Sequence, residues 1–261
     1  NTLLYTVSSR NEEENGVYHV VPGTDGAAQA LLSGKGKYQK LTWDRPQQQL
    51  AFFSDRDAAD AKPPISKVYH WDRRAAQAVE LVSSATAGIP AGMVVSDKGL
   101  LSFTRDGQRL LVPAGPQPAP TKDAADQPPA DERVLMDLWH YQDDYVQPMQ
   151  KVRANRDRNR TYAGIWHLAE KKYVQLADPA LPTVTVTDDS TRAAGSDDRA
   201  YRRMVDYDGT YTDLYVVDTR TGERKLALKQ LRAGFGGAAS WSPSGRHAAY
   251  FRDRHWHVLD A

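Results

Sequence analysis

Two histidines near the end of the chain, His255 and His257, have the spacing of a pair of metal ligands. Alternate residues of a β-strand point to the same face, so the two imidazoles would project together and could share an ion. A protein metal site needs further ligands, and no third one follows in this part of the sequence. We therefore expect no metal and no cofactor, and interpret both histidines as ordinary strand residues.

A serine nucleophile of the α/β-hydrolase type requires the pattern Gly-x-Ser-x-Gly, which exposes the serine on a sharp strand-to-helix turn. This pentapeptide does not occur in the chain. Ser242 and Ser244 lie in the phrase Trp-Ser-Pro-Ser-Gly, which is typical of a hairpin turn whose serines cap backbone amides. The sequence therefore predicts no catalytic residue in this chain.

Adjacent carboxylates are the remaining group that could do chemistry. They occur at Asp143-Asp144, Asp188-Asp189, Asp197-Asp198 and Glu12-Glu13-Glu14. Asp143 and Asp144 closely follow Trp139 and His140 in a segment dense in aromatic and polar side chains. From the residues alone, this pair either belongs to a binding site or supplies turn residues and ion-pair partners for Arg153 or Arg156.

The elements that would position these residues repeat along the chain. An aromatic-bearing strand, a tight polar turn and a partner strand predict a β-hairpin. The hairpins fall at residues 41–54, 101–112 and 240–251. Alternating strands with apolar or aromatic anchors follow the same rhythm. These anchors are Tyr18, Tyr69, Ile165 and Tyr215, spaced by 51, 96 and 50 residues, so one unit is enlarged.

A charged turn and a short fourth strand complete the unit, as at residues 22–32 and 218–228. Four strands per forty to fifty residues, roughly, are the signature of a β-propeller. We predict an all-β chain, a partial β-propeller of about four to five blades that spans residues 1–261. It opens as a second strand and stops as a third, so we expect a fragment with truncated ends.

The repeat is interrupted in the middle of the chain. Residues 113–133 are a Pro- and Ala-rich insertion, expected to be an exposed loop because proline donates no ladder hydrogen bond. Residues 134–162 are an irregular excursion within a blade, the kind of segment that often carries function. The basic run at residues 151–160 is interpreted as a solvated hairpin, since Asp157 interrupts its charge.

Bulk composition excludes several classes. A net charge of +1 over 261 residues gives no reason to expect a nucleic-acid partner. The chain has no Cys, which excludes a disulfide framework, and no apolar run near the length of a membrane span. The compartment is not determined by the sequence: a periplasmic or secreted location is the first expectation, and a cytoplasmic one is the alternative.

Several phrases together resemble a known family. The chain resembles the propeller of bacterial prolyl oligopeptidase-family serine peptidases of the dipeptidyl-aminopeptidase type in the segments Asp137-Leu138-Trp139-His140, Asp143-Asp144, Gln147-Pro148-Met149-Gln150, 158–162 and 173–178. The turns at residues 104–107 and 241–245 resemble the Trp-Ser-Pro-Asp-Gly hairpins common in that family and in TolB-like propellers. The resemblance spans essentially the whole chain.

The resemblance implies a function. In such enzymes an α/β-hydrolase domain carries the Ser-Asp-His triad, and the propeller caps it, admitting peptides and excluding folded proteins. Relatives of dipeptidyl peptidase IV hold the substrate's amino terminus with two glutamates on a propeller excursion. Asp143, Asp144, Trp139 and His140 lie in the analogous segment and are the candidate substrate-binding residues, although the Glu-Glu motif itself is absent and the shorter Asp side chains would place the charge differently.

We thus expect a non-catalytic propeller segment that gates or orients short peptides for an α/β-hydrolase domain of the same polypeptide. The alternative is a TolB-like propeller that binds a protein or peptide without catalysis. A hydrolase or lyase acting in the propeller funnel ranks last, because no acid and histidine cluster recurs with the blades. Open sheet edges also allow a homo-oligomer.

Overall fold

The computed structural model describes residues 2–23, 26–120, 136–234 and 237–261. The strands are β1 (Leu3–Val7), β2 (Gly16–Val20), β3 (Gln29–Ser33), β4 (Tyr38–Trp43), β5 (Gln49–Ser54), β6 (Lys67–Asp72), β7 (Val79–Val82), β8 (Met93–Val95), β9 (Ser102–Phe103), β10 (Arg109–Pro116), β11 (Tyr162–His167), β12 (Lys172–Gln175), β13 (Thr183–Val186), β14 (Arg192–Asp197), β15 (Tyr211–Asp218), β16 (Arg224–Arg232), β17 (Ser240–Trp241), β18 (His247–Arg252) and β19 (His255–Asp260). The helices are α1 (Gln147–Arg158) and the short 3₁₀ helices Glu12–Glu14, Arg56–Ala58 and Arg199–Met204.

The strands form five sheets, called blades 1 to 5 in chain order, and each is an antiparallel meander. Blade 2 is β4 to β7 and blade 4 is β13 to β16. In blade 3, β8 and β9 both pair with β10 and share the first position, ahead of β11 and β12. Blade 1 (β1 to β3) and blade 5 (β17 to β19) have three strands each. The predicted all-β fold, a partial propeller of four-stranded antiparallel blades, is confirmed.

One turn recurs between the first and second strands of blades 2 to 5. In each, an amide donates to the carbonyl three residues earlier, and the donating residue has a left-handed φ. These residues are Gln47 (φ 56°), Gly107 (68°), Ser190 (61°) and Gly245 (65°). The sequence predicted three of the hairpins. It missed the one at residues 187–190 because the two strands that flank this turn, β13 and β14, contain no aromatic residue.

These turns also connect neighbouring blades on one face of the array. The Gln49 side chain donates to the Gly107 carbonyl at 3.2 Å, which joins blade 2 to blade 3. Arg105 donates to Asp188 at 3.0 Å, which joins blade 3 to blade 4. The Asp189 amide donates to the Pro243 carbonyl at 3.0 Å, which joins blade 4 to blade 5.

The core lies between the blades. Phe52 and Phe53 are consecutive in β5 and both are buried. Successive strand residues point to opposite faces, so blade 2 must be covered on both sides. Phe52 packs in the cluster that contains Val17 of blade 1, and Phe53 packs in the one that contains Leu110 of blade 3. A third cluster, around Ile165, joins blades 3 and 4.

The Pro- and Ala-rich insertion starts later than predicted. β10 continues to Pro116, and Pro113 is buried opposite Ala163 of β11. The expectation that these prolines stay outside the sheet is wrong for residues 113–116, because the Pro113 carbonyl still accepts a hydrogen bond from the Ser96 amide at 3.1 Å. Residues 117–120 are exposed and outside any strand, and residues 121–135 lie outside the described part of the chain.

The basic run of the excursion is a helix. The hairpin expected at residues 151–160 is wrong, since α1 covers most of this run. Pro148 in the first turn has a φ already suited to a helix, and the Gln, Met, Lys, Arg and Ala residues that follow favour one. None of its residues is buried, so no apolar stripe announced it. Among the described residues, no helix is long and apolar enough to cross a membrane.

Candidate functional site

The connections between second and third strands lie on the face opposite the recurring turns, here called the loop face. In blade 3 this connection is the excursion that contains the candidate residues and α1. In blade 4 it contains the 3₁₀ helix Arg199–Met204. The two connections touch: Arg203 of blade 4 donates a hydrogen bond to the Gln142 carbonyl of the excursion.

Asp144 is held by an arginine of the neighbouring blade. Its Oδ2 accepts from Nη1 of Arg202 at 3.0 Å. Nε of the same guanidinium donates to Asp198 at 2.9 Å, and only 17% of the Arg202 side chain is exposed. The Asp144 charge is therefore already neutralised by a neighbouring cation. An arginine partner was one of the alternatives expected for this pair, but the arginine is Arg202 and not Arg153 or Arg156.

Tyr145 packs between two guanidinium groups. Arg153 lies 4.2 Å from the centroid of its ring and Arg202 lies 5.5 Å from it. Both distances are within the range of a cation–π interaction. Burial, and secondarily the nearby Asp198 carboxylate, raises the pKa of the Tyr145 hydroxyl above its usual value. Tyr145 thus stays neutral at physiological pH and holds α1 against the blade 4 connection.

Asp143 is used differently from Asp144. It accepts from the side chain of Gln150 at 2.9 Å and from the backbone amide of His140 at 3.3 Å, which closes a local turn. The two adjacent carboxylates thus bind separate partners, and neither partner is shared. The role of Asp143 and Asp144 in holding a substrate ammonium stays a prediction.

The stretch before Asp143 presents large apolar and aromatic side chains to solvent. Trp139 is 64% exposed and Tyr141 is 83% exposed. The His140 ring lies 4.9 Å from the Tyr141 ring, and its Nδ1 accepts from the Gln142 amide at 3.2 Å. Lys151 and Gln147 of α1 both donate to Asp137 and hold the start of this stretch. Met136 and Leu138 are exposed beside it, so the segment forms an apolar strip.

His257 and His167 each have a structural hydrogen-bond partner. His257 Nε2 lies 3.3 Å from the Arg252 carbonyl, and its ring stacks on Tyr250. Buried His167 bonds to the Thr219 carbonyl at 3.0 Å. Across the described ranges, no cluster of three or more His, Cys, Asp or Glu residues has the geometry to hold a metal ion. Ser242 Oγ accepts from the His247 amide at 3.1 Å, as predicted for a turn serine.

Sequence reasoning did not single out the residues that organise this region. Arg202 lies 58 residues from Asp144 in the sequence, and a pairing over that distance leaves no local pattern. The one available signal was the group of cations at Arg199, Arg202 and Arg203. The excursion and these arginines meet because the connections between the second and third strands of neighbouring blades lie on the same face.

No family model and no curated protein matches the chain. Solved structures do. TolB from Acinetobacter baumannii is 11% identical, with 99% of this chain and 49% of that chain covered at a TM-score of 0.36. The β-propeller domain of the Trilobed protease from Pyrococcus furiosus is 10% identical, with 99% and 64% covered and a TM-score of 0.47. An acylaminoacyl peptidase from Pyrococcus horikoshii is 11% identical, with 99% and 36% covered and a TM-score of 0.40.

The chain spans about half the length of the TolB structure and about a third of the acylaminoacyl peptidase. These likenesses concern the fold alone. The assignment of a propeller module rests on the sheet topology and on the burial between blades described above.

Proposed function

We propose that this propeller module is the non-catalytic segment of a prolyl oligopeptidase-family serine peptidase of the dipeptidyl-aminopeptidase type. In this role it gates or orients short peptides for an α/β-hydrolase domain of the same polypeptide. The observation that carries the proposal is the excursion: the segment that resembles this family is fixed on the loop face by Arg202 and Arg203 of the next blade.

The anchored excursion supports a binding role because its aromatic side chains remain free. The backbone and the carboxylates around Trp139 and Tyr141 form hydrogen bonds that hold this segment in place. The two aromatic rings nevertheless face solvent. Rigid aromatic side chains with exposed faces contribute strongly to peptide and protein binding. Within the described residues, no serine hydroxyl hydrogen-bonds to a histidine ring as a catalytic triad requires, and the Ser242 hydroxyl hydrogen-bonds only with Ser244 and the His247 amide.

The first experiment is an activity assay. The purified chain is expected not to hydrolyse aminoacyl-nitroanilide substrates, and measurable turnover would overturn the proposal. The second is the sequence of the surrounding reading frame. A Gly-x-Ser-x-Gly motif followed by a late histidine would support it, because that is the order of an α/β-hydrolase triad.

Peptide binding gives a direct test of the role of the apolar strip. Trp139→Ala should weaken the binding of short peptides several-fold, measured by calorimetry on the purified chain. Phe251→Ala is a matched control, since Phe251 is a 50% exposed aromatic residue of β18 in blade 5, away from the excursion. Equal affinity of the two variants and the parent chain would contradict a binding role for the strip.

The exposed strip also favours a second function, a TolB-like propeller that binds a protein or peptide without catalysis. Contiguous exposed apolar side chains are a feature of interaction surfaces. This function predicts that the reading frame stops soon after residue 261. It also predicts that the purified chain binds its protein or peptide partner. A hydrolase motif downstream would eliminate it.

A further inference from the structure

The loop face contains a cleft of about 270 Å³ in which arginine dominates the charged lining. It lies between α1 and the blade 4 connection, next to the aromatic residue Tyr145. Its charged residues are Arg153, Arg160, Arg199, Arg202, Asp144 and Asp157. Four guanidinium groups in a cleft of this size raise the question of which of them already have acceptors.

Two of the arginines are fully engaged. Arg199 donates to both oxygens of Asp197 at 2.8 Å and to the Pro179 carbonyl at 2.9 Å. Arg202 donates to Asp144 and to Asp198, as described above. Each of these guanidinium groups has its charge compensated by a carboxylate of the loop face, so neither needs a further anion.

Arg153 is not engaged in this way. Only 19% of its side chain is exposed, and its buried Nε has no hydrogen-bond partner. The nearest carboxylate oxygen, of Asp157, is 3.8 Å away, which is beyond hydrogen-bonding distance. That carboxylate instead accepts from Arg160 at 2.8 Å. A guanidinium is a fork of N–H donors, and removing it from water without an acceptor is costly.

The local excess of positive charge also favours the binding of an anion. Arg153, Arg156 and Arg160 are grouped around the single carboxylate of Asp157. The Arg160 hydrogen bond keeps the pKa of Asp157 below its usual value, so the carboxylate remains charged at neutral pH. One negative charge among three positive charges leaves an excess that a small anion can neutralise.

We propose that the Arg153 guanidinium, with Arg160 beside it, binds a carboxylate group of a peptide in this cleft. Planar guanidinium and carboxylate groups pair through two parallel hydrogen bonds, and a carboxylate would lower the positive charge of this group of residues. The carboxylate is either the C-terminus of the peptide or an acidic side chain. That the ligand is a peptide rests on the proposed function, whereas the carboxylate site itself does not.

The test is calorimetry of the purified chain with three forms of one short peptide. The forms have a free C-terminal carboxylate, a C-terminal amide, or a C-terminal amide with an internal Glu. The free acid, the Glu form or both should bind roughly tenfold or more tightly than the plain amide. Which of them does so identifies the source of the carboxylate. Equal affinity of all three would overturn the proposal.

Arg153→Gln keeps a polar side chain but shortens it and removes its charge, and it should abolish the preference for the carboxylate. Arg153→Lys keeps the charge but lacks the fork, and an intermediate preference is expected. Arg158→Gln is the matched control, because Arg158 lies on the same helix, is exposed and donates only to the Ala154 carbonyl. A preference that survives in both Arg153 variants would overturn the proposal.

Acetate separates this inference from the proposed function. Titration with acetate should shift the NMR resonance of the Arg153 Nε–H group in the parent chain. If acetate shifts it while no peptide binds in any form, the carboxylate site stands and the peptide function fails. If peptides bind but acetate leaves this resonance unchanged, the Arg153 site is wrong while the peptide function stands.

Discussion

Asp144 Oδ2 lies 3.0 Å from Nη1 of Arg202, and this ion pair joins the excursion of blade 3 to the connection of blade 4. We expect Asp144→Asn to loosen residues 136–146 with little change in global stability. Asp144 is 48% exposed, and an ion pair at such a site contributes about 0–1 kcal/mol. Hydrogen exchange and limited proteolysis should report faster exchange and cleavage within the excursion.

The control for this prediction is Asp188→Asn. Asp188 forms a comparable pair with Arg105 at 3.0 Å, but on the face with the recurring turns. It should leave exchange in the excursion unchanged. Unaltered exchange of residues 136–146 in Asp144→Asn would show that Arg203, Tyr145 and α1 hold the segment without this ion pair.

His70 makes the fold less stable in mild acid. Burial lowers the pKa of its imidazole, although Asp72 and Asp44 act in the opposite direction. As pH falls below about 6.5, the unfolded chain takes up a proton at this position before the folded chain does. As the pH is lowered from about 6.5 to the lowered pKa of the folded state, the free energy of unfolding should therefore decrease. The decrease is at most about 1.4 kcal/mol per pH unit.

Urea unfolding of the parent chain and of His70→Gln, measured between neutral and mildly acidic pH, tests this sign. The slope against pH should be smaller in His70→Gln, whatever its absolute stability. Identical slopes for the parent chain and His70→Gln would rule out His70 as the source.

Gly164 is required by the packing of Tyr173. A Cβ atom at residue 164 would overlap the Tyr173 hydroxyl, which is buried and donates to Gln175 at 2.8 Å. Gly164→Ala should therefore cost about 1–3 kcal/mol or more in the free energy of unfolding. Gly234→Ala serves as the control, since a Cβ there meets no atom within 4 Å. Denaturant melts that show equal losses for both would contradict the packing argument.

Sequence patterns gave most of the strand assignment because each blade repeats the same local chemistry. A turn with Asp and Gly at Asp106 and Gly107 specifies a hairpin wherever it occurs, and alternation specifies which face is buried. Helix α1 was not predicted because it is stabilised by Tyr145 and by ion pairs and has no apolar stripe. The pairing of Arg202 with Asp144 was not predicted because it depends on how two blades pack together, and no local sequence pattern indicates that packing.

The outer edge of β19 should mediate self-association. Trp256 and Val258 are 74% and 72% exposed, and within the described residues no strand pairs with β19 on the side away from β18. Such an edge is a template for strand pairing with a second copy. Light scattering should show a mass that rises with concentration, and Val258→Lys should reduce it. Val152→Lys, at a 79% exposed position of helix α1 outside any sheet, should have no effect. A monodisperse monomer at all concentrations would contradict this prediction.

The hydrogen bonds between successive turns have a consequence for how the chain comes apart. The bonds of Gln49, Arg105 and Asp189 each span one boundary between consecutive blades, so they stabilise the array as a row of pairwise couplings. Melting should therefore start at the terminal blades and advance inward, with the slowest amide exchange in β5 and β10. Loss of the Gln49 bond would uncouple blades 2 and 3 while leaving the boundary between blades 4 and 5 intact.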